Sequence, residues 1–173
     1  PNEHRDTKVA TDTIAQGGSP TTTIRVLTGK EPDEVALRSS TGEVRVVQGQ
    51  RVTRVKPVAS PNEVTRIVRE KIIAALNRNK LVGVGTFPEE LPPGISGQHA
   101  YAVVGYDKAR DMIEVWNPHG NTHRPAGEPG LQHGYETKAG LFWVPAADFP
   151  HIFAVAFIEA DRSAVTEGQR GGN

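Results

Sequence analysis

The chain has 173 residues, enough for one domain with its own core, and its 18 Gly and 13 Pro favour a turn-rich globular domain over a helical bundle or coiled coil. Twenty Lys+Arg balance twenty Asp+Glu, so the overall basic field of a nucleic-acid or anionic-membrane binder is absent and neither partner is expected. Cysteine is missing altogether, which excludes disulfide staples, thiolate metal sites and a cysteine nucleophile within these residues.

Residues 1–16 are polar with few apolar anchors and read as a flexible lead-in, and residues 161–173, closing on EGQRGGN, as a disordered tail. The only Met is Met112, and Pro1 reads either as the residue left after removal of an initiator Met or, the preferred reading, as a point inside a longer polypeptide. No apolar run is long enough for a transmembrane helix. Gly17, Gly18, Ser19 and Pro20 form a turn from which Ser19 could cap a short helix, yet the β-branched TTTIRVL that follows favours a strand by propensity. From Glu34 the chain reads VALRSSTGEVRVV, which predicts a hairpin of Val35–Arg38 with Val44–Val47 across Ser-Thr-Gly, and Val52–Val55 adds a third strand.

A helix is expected from Ser60 to about Arg78. Ser60 at the N-cap, Pro61 at the first helical position and Glu63 two further on make a capping box, and Val64, Ile67, Val68, Ile72, Ala75 and Leu76 then recur at helical spacing. Leu81–Phe87 reads as a buried strand, followed by the Pro-rich loop PEELPPGISG. Ala100–Tyr106 and Met112–Trp116 flank a five-residue turn and predict a hairpin. A Gly/Pro/His loop runs from Asn117 to about Gly140, and Leu141–Val144, a turn through Asp148 and Phe149, and His151–Ile158 complete the chain. The class is α+β: a twisted antiparallel sheet or open barrel with one main helix.

Antiparallel pairing across that hairpin brings the residue before one strand beside the residue after the other, so His99 and Asn117 are expected to be neighbours. An amide oxygen that accepts from one ring N–H fixes the tautomer of the imidazole and leaves the other nitrogen to take a nucleophile's proton. A second cluster, His119, His123 and His133 with Glu128, has residue types that bind zinc. Its Gly- and Pro-rich loop supplies no helical platform, so it reads as a solvated loop and no metal is expected.

Several stretches together resemble the calpain-like branch of the papain-like cysteine endopeptidases. Gly17-Gly18 followed by Leu27-Thr28-Gly29 is similar to the family's GG…(F/L)TG segment. KLVGVGT, beginning at Lys80 after a helix, resembles its LVG strand. Gln98-His99-Ala100-Tyr101-Ala102-Val103 resembles the GHAYSV motif of the catalytic histidine, and the run from Ile113 through Asn117-Pro118-His119-Gly120 resembles the (L/I)RNPWG motif of the catalytic asparagine. Gly140-Leu141-Phe142-Trp143 with Asp148-Phe149 resembles the GEFWM…DF ending. The match spans roughly residues 15–160.

The resemblance implies a papain-like fold, with residues 17–160 as the C-terminal subdomain of the protease core and a helix entered at Pro20. It implies His99 as general base and acid, Asn117 as its orienter, and the backbone around Gly29 and Gln98 lining the substrate cleft. The sequence departs from the family at three points. His119 stands where the family has a Trp that covers the His–Asn pair from water, so shielding falls to His119 or to a leaning Trp116. Gln98 stands where a Gly usually precedes the histidine. The nucleophile, which the family carries on an upstream subdomain, is not in this chain. The expected function is therefore one half of a thiol protease (a hydrolase), inactive alone, acting on protein or peptide substrates with a Cys-bearing subdomain as partner. The alternatives are a degenerate, non-catalytic module for peptide or protein binding and, third, a metal-dependent hydrolase using His119, His123 and His133. No cofactor is expected in this chain; family members often bind calcium in acidic loops, but Glu128 is the only acidic residue between Asn117 and Gly130. The expected compartment is the cytoplasm.

Overall fold

Ser19 and Pro20 start a helix where the β-branched residues favour a strand. The computed structural model describes residues 19–47 and 49–161; the lead-in of residues 1–16, Gly17, Gly18 and the tail beyond Asp161 lie outside the described residues. Helix α1 is Pro20–Thr28, with Pro at its first position and Gly29 closing it at φ 73°, where the Gly29 N–H donates to the Arg25 carbonyl at 2.8 Å. Ile24 is its buried residue. Packing overrides propensity here: Pro20 presses on Gly83, where a Cβ would lie 2.6 Å from the Pro20 Cβ.

Strands β1 (Asp33–Ala36), β4 (Val82–Gly85), β5 (Ala100–Asp107), β6 (Met112–Trp116), β7 (Thr137–Lys138), β8 (Leu141–Pro145) and β9 (Val155–Ile158) form one antiparallel sheet in the order β1-β9-β4-β5-β6-β8-β7. Strands β2 (Arg38–Val47) and β3 (Gln50–Pro57) form a separate two-stranded hairpin. The class is α+β, mostly antiparallel sheet with few helices. No helix among the described residues is long and apolar enough to cross a membrane.

The expected hairpin of Val35–Arg38 with Val44–Val47 is corrected. Val35 pairs with Ala156 of β9, and Val44–Val47 pairs with β3 instead. The physical reason is Leu37, fully buried, whose N–H and that of Arg38 both donate to the Ala154 carbonyl. Burying Leu37 ties β1 to the main sheet and sends the chain off into β2. Ser-Thr-Gly is then a bulge inside β2, between Ser40 and Val44, with Gly42 at φ 79°.

The long helix α2 begins as Pro61–Ile67, passes through a π-helical stretch Val68–Ile73 and ends as Ala74–Leu76. The Ser60 hydroxyl accepts from the Glu63 N–H at 3.4 Å, as the cap pattern requires. Val64, Val68, Ile72 and Ala75 are buried in one cluster with Val84, Tyr101, Val103, Ile113, Val115, Phe142 and Val144 of the sheet. The last strand is shorter than expected. His151 and Ile152 belong to a turn of helix, α3 (Phe149–Ile152), because Phe149, Ile152 and Phe153 all reach the core only when the chain curls there.

Alternation along β5 and β6 sorts residues to two faces. Tyr101, Val103, Ile113 and Val115 point into the α2-covered core. Gly83, Ala102 and Trp116, which are register partners in sequence across β4, β5 and β6, lie on the face that carries α1.

Candidate active site

The β5–β6 register (Ala102 opposite Trp116) sets Asn117 across from Tyr101, so His99, two residues before Tyr101, is its diagonal neighbour on the same face. His99 Nε2 and Asn117 Oδ1 are 2.9 Å apart. A carbonyl oxygen only accepts, so the proton of this bond sits on Nε2, and Nδ1 keeps the lone pair that a general base needs. No described residue hydrogen-bonds Nδ1.

The backbone of His99 is held by Thr86, itself buried. The His99 N–H donates to Thr86 Oγ1 at 3.1 Å, the Thr86 N–H donates to the His99 carbonyl at 3.0 Å, and the Thr86 hydroxyl donates to the Ser96 carbonyl at 2.9 Å. Gln98, just before, adopts φ 52° and donates its N–H to the Phe87 carbonyl at 3.2 Å. This left-handed turn is what swings the chain out of the Pro-rich loop into β5. The His99 ring meets the Tyr101 ring edge-on at 4.8 Å between centroids. Burial pushes the Tyr101 phenol above its usual range, so Tyr101 serves as a neutral hydrogen-bonding wall; its hydroxyl accepts from the Ser96 N–H at 2.7 Å.

Asn117 is 2% exposed. Its N–H donates to the Gly140 carbonyl at 2.8 Å, and its carbonyl accepts from the Gly120 N–H at 3.0 Å. Its side-chain Oδ1 also accepts from the His119 N–H at 3.0 Å, and its Nδ2 donates to Asn121 Oδ1 at 2.8 Å.

The expected shielding and cleft residues are distributed unevenly. The His119 ring lies 4.4 Å from that of His99, tilted by 45°. Trp116 is on the opposite face of the sheet, 41% exposed, in a groove with Ile24 and Leu27 of α1. Gln98 lines a cleft of about 320 Å³ with Phe87, His99, His119, Val155 and Phe157. Gly29 is not part of that cleft; it is the C-cap of α1, and its Cα faces open space. The histidine-rich loop does not converge on a point: His123 Nε2 lies 3.0 Å from the His133 carbonyl, and among the described residues no group of three or more His, Asp or Glu could hold a metal ion.

Two residues that no sequence pattern marks belong to the site, Thr86 and Asn121. A threonine ending a short strand and an asparagine in a turn are ordinary by type, and only their partners give them a role. The groove behind the sheet, about 700 Å³ and lined by Leu27, Ala102, Val104 and Trp116, shares Pro20, Ala100 and Pro118 with the His99 cleft. The two therefore run into one another around the end of the sheet. No protein-family model matches this sequence, and no curated protein matches it.

Proposed function

We propose that the chain is the His- and Asn-bearing subdomain of a calpain-like cysteine endopeptidase core of papain-like fold. The observation that carries this reading is the His99 Nε2–Asn117 Oδ1 hydrogen bond, with Nδ1 left unengaged. In the assembled enzyme a cysteine thiol on the partner subdomain gives its proton to His99 Nδ1, and the thiolate attacks the scissile carbonyl. Asn117 holds the imidazolium, which returns the proton to the leaving amine; His99 then draws a proton from the water that hydrolyses the acyl-enzyme. With no Cys in its sequence, the chain lacks the nucleophile and is inactive alone. The exposed apolar side chains Leu27, Val104 and Trp116 support the same reading, because they line a groove continuous with the cleft, where a second polypeptide unit would cover them.

A second reading, a non-catalytic module that binds peptide or protein segments, is favoured by one specific feature: His119 in place of the family's shielding Trp. The two separate on the polypeptide encoded ahead of Pro1. The endopeptidase reading requires a Gln a few residues before Cys-Trp or Cys-Phe at a helix start, and casein cleavage by the parent protein that His99→Ala abolishes. Absence of that motif, or cleavage that survives His99→Ala, rules the reading out and leaves the binding module.

A further inference from the structure

A primary amide is nearly symmetric in shape, so which end of the Asn117 side chain faces His99 is decided by polar neighbours alone. One of these is the His119 N–H, which donates to Oδ1 at 3.0 Å. The other is Asn121, whose Oδ1 accepts from Asn117 Nδ2 at 2.8 Å. The orientation of Asn121 is decided in turn by the Gly94 carbonyl, which accepts from Asn121 Nδ2 at 3.0 Å and has no proton to give. A run of hydrogen bonds with a single polarity thus leads from His99 through Asn117 and Asn121 to Gly94. The backbone supports it: the Asn121 carbonyl accepts from the Gly140 N–H at 2.8 Å, while the Gly140 carbonyl accepts from the Asn117 N–H. Gly94 is itself seated against the His123 ring, where a Cβ would lie 2.5 Å from Cγ.

Reversing the Asn117 amide would turn its NH₂ toward Nε2. His99 would then have to accept at Nε2 and carry its proton on Nδ1, the tautomer that cannot take a proton from a thiol.

We infer that Asn121 is a positioning residue for the His99–Asn117 pair: it fixes the Asn117 amide so that its oxygen faces Nε2 and Nδ1 stays free. The role rests on reading His99 as general base and Asn117 as its orienter. Asn121 touches no reacting atom and acts through Asn117.

The test is the tautomer of His99 by ¹H–¹⁵N long-range NMR of the ¹⁵N-labelled 173-residue chain. The wild type is expected to carry its proton on Nε2 above the pH of ring titration. Asn121→Leu removes the acceptor, and the ratio of Nε2–H to Nδ1–H is expected to fall about 3- to 10-fold, the worth of one hydrogen bond. Asn121→Asp gives up the bond to the Gly94 carbonyl but keeps an acceptor for Asn117 Nδ2, so the tautomer is retained. The titratable groups nearest the ring, His119 and Tyr101, are the same in all three proteins. A loop staple with no role in positioning would lower the stability of the variants and leave the tautomer where it was. A folded Asn121→Leu with an unchanged ratio therefore overturns the proposal. If Asn121→Leu does not fold, Asn121→Ala, which also removes the acceptor, decides: an unchanged ratio in that variant overturns the proposal. Because the readout needs no nucleophile, a parent protein without His99-dependent cleavage would refute the endopeptidase reading and leave this result standing.

Discussion

Gly140 and Asn117 are in backbone contact: the Asn117 N–H donates to the Gly140 carbonyl at 2.8 Å, and a Cβ on Gly140 would sit 2.2 Å from the Asn117 carbonyl oxygen. Gly140 also adopts φ 83°, a region that residues with a Cβ occupy only under strain. Gly140→Ala is therefore expected to lower unfolding stability by about 3 kcal/mol and to loosen the His99–Asn117 bond at the same time. Denaturant melts together with the His99 tautomer measurement check both; an unchanged midpoint would show that the turn yields without cost.

Thr86 offers a cleaner test of how the His99 backbone is held. Thr86→Val keeps the shape but leaves the His99 N–H without its acceptor, which is expected to cost about 1–3 kcal/mol. Thr86→Ser keeps the hydroxyl and should recover most of that loss. Amide exchange at His99 should accelerate in the Val variant and not in the Ser variant; equal exchange in the two would mean the hydroxyl does not hold the backbone.

The contact between Pro20 and Gly83 is what keeps α1 on the sheet. Gly83→Ala places a Cβ 2.6 Å from the Pro20 Cβ, so α1 must shift, at an expected cost of about 1–3 kcal/mol. Amide protection across 20–28 should drop while α2 stays protected. Loss of protection in both helices together would show that α1 and the core unfold as one unit.

Arg38 and Glu89 form an ion pair with side chains 12% and 7% exposed, and Arg38 also donates to the His151 carbonyl at 2.9 Å. Burial pushes the Glu89 carboxyl above its ordinary range, against the opposing pull of Arg38. The folded state thus holds that proton more tightly than the unfolded chain does. The contribution of Glu89 to stability is present below its unfolded value and is lost as pH rises through the raised folded one. The stability of the wild type relative to Glu89→Gln should accordingly fall as pH rises out of the ordinary carboxylate range. A rising difference would mean that the attraction of Arg38 outweighs the cost of burial.

Much of the secondary structure was legible in the residues because it rests on local chemistry. The Ser60–Glu63 cap and the apolar spacing of α2 need only neighbours in sequence, and so does the β5–β6 hairpin around its short turn. His99 and Asn117 could be paired for the same reason, since a hairpin of known register has only one way to align its ends. The course of β1 and β2 was not legible. Their alternation fits either partner, and the choice was made by Leu37, which finds a buried site beside Ala154, far along the chain. Nor could local propensity settle α1, whose β-branched residues are helical because Pro20 and Ile24 pack on the opposite face of the sheet.

The sequence by itself determined which residue types could do chemistry here. It supplies a histidine and an asparagine at the ends of one hairpin, and no cysteine. The tertiary structure decided how that pair is held, through Thr86 on one side and Gly140, Asn121 and Gly94 on the other. It also placed His119 against the ring and set Trp116 on the far face. Those assignments depend on which backbone carbonyls and amides come within hydrogen-bond distance across long loops, and no period or spacing in a linear sequence encodes that distance.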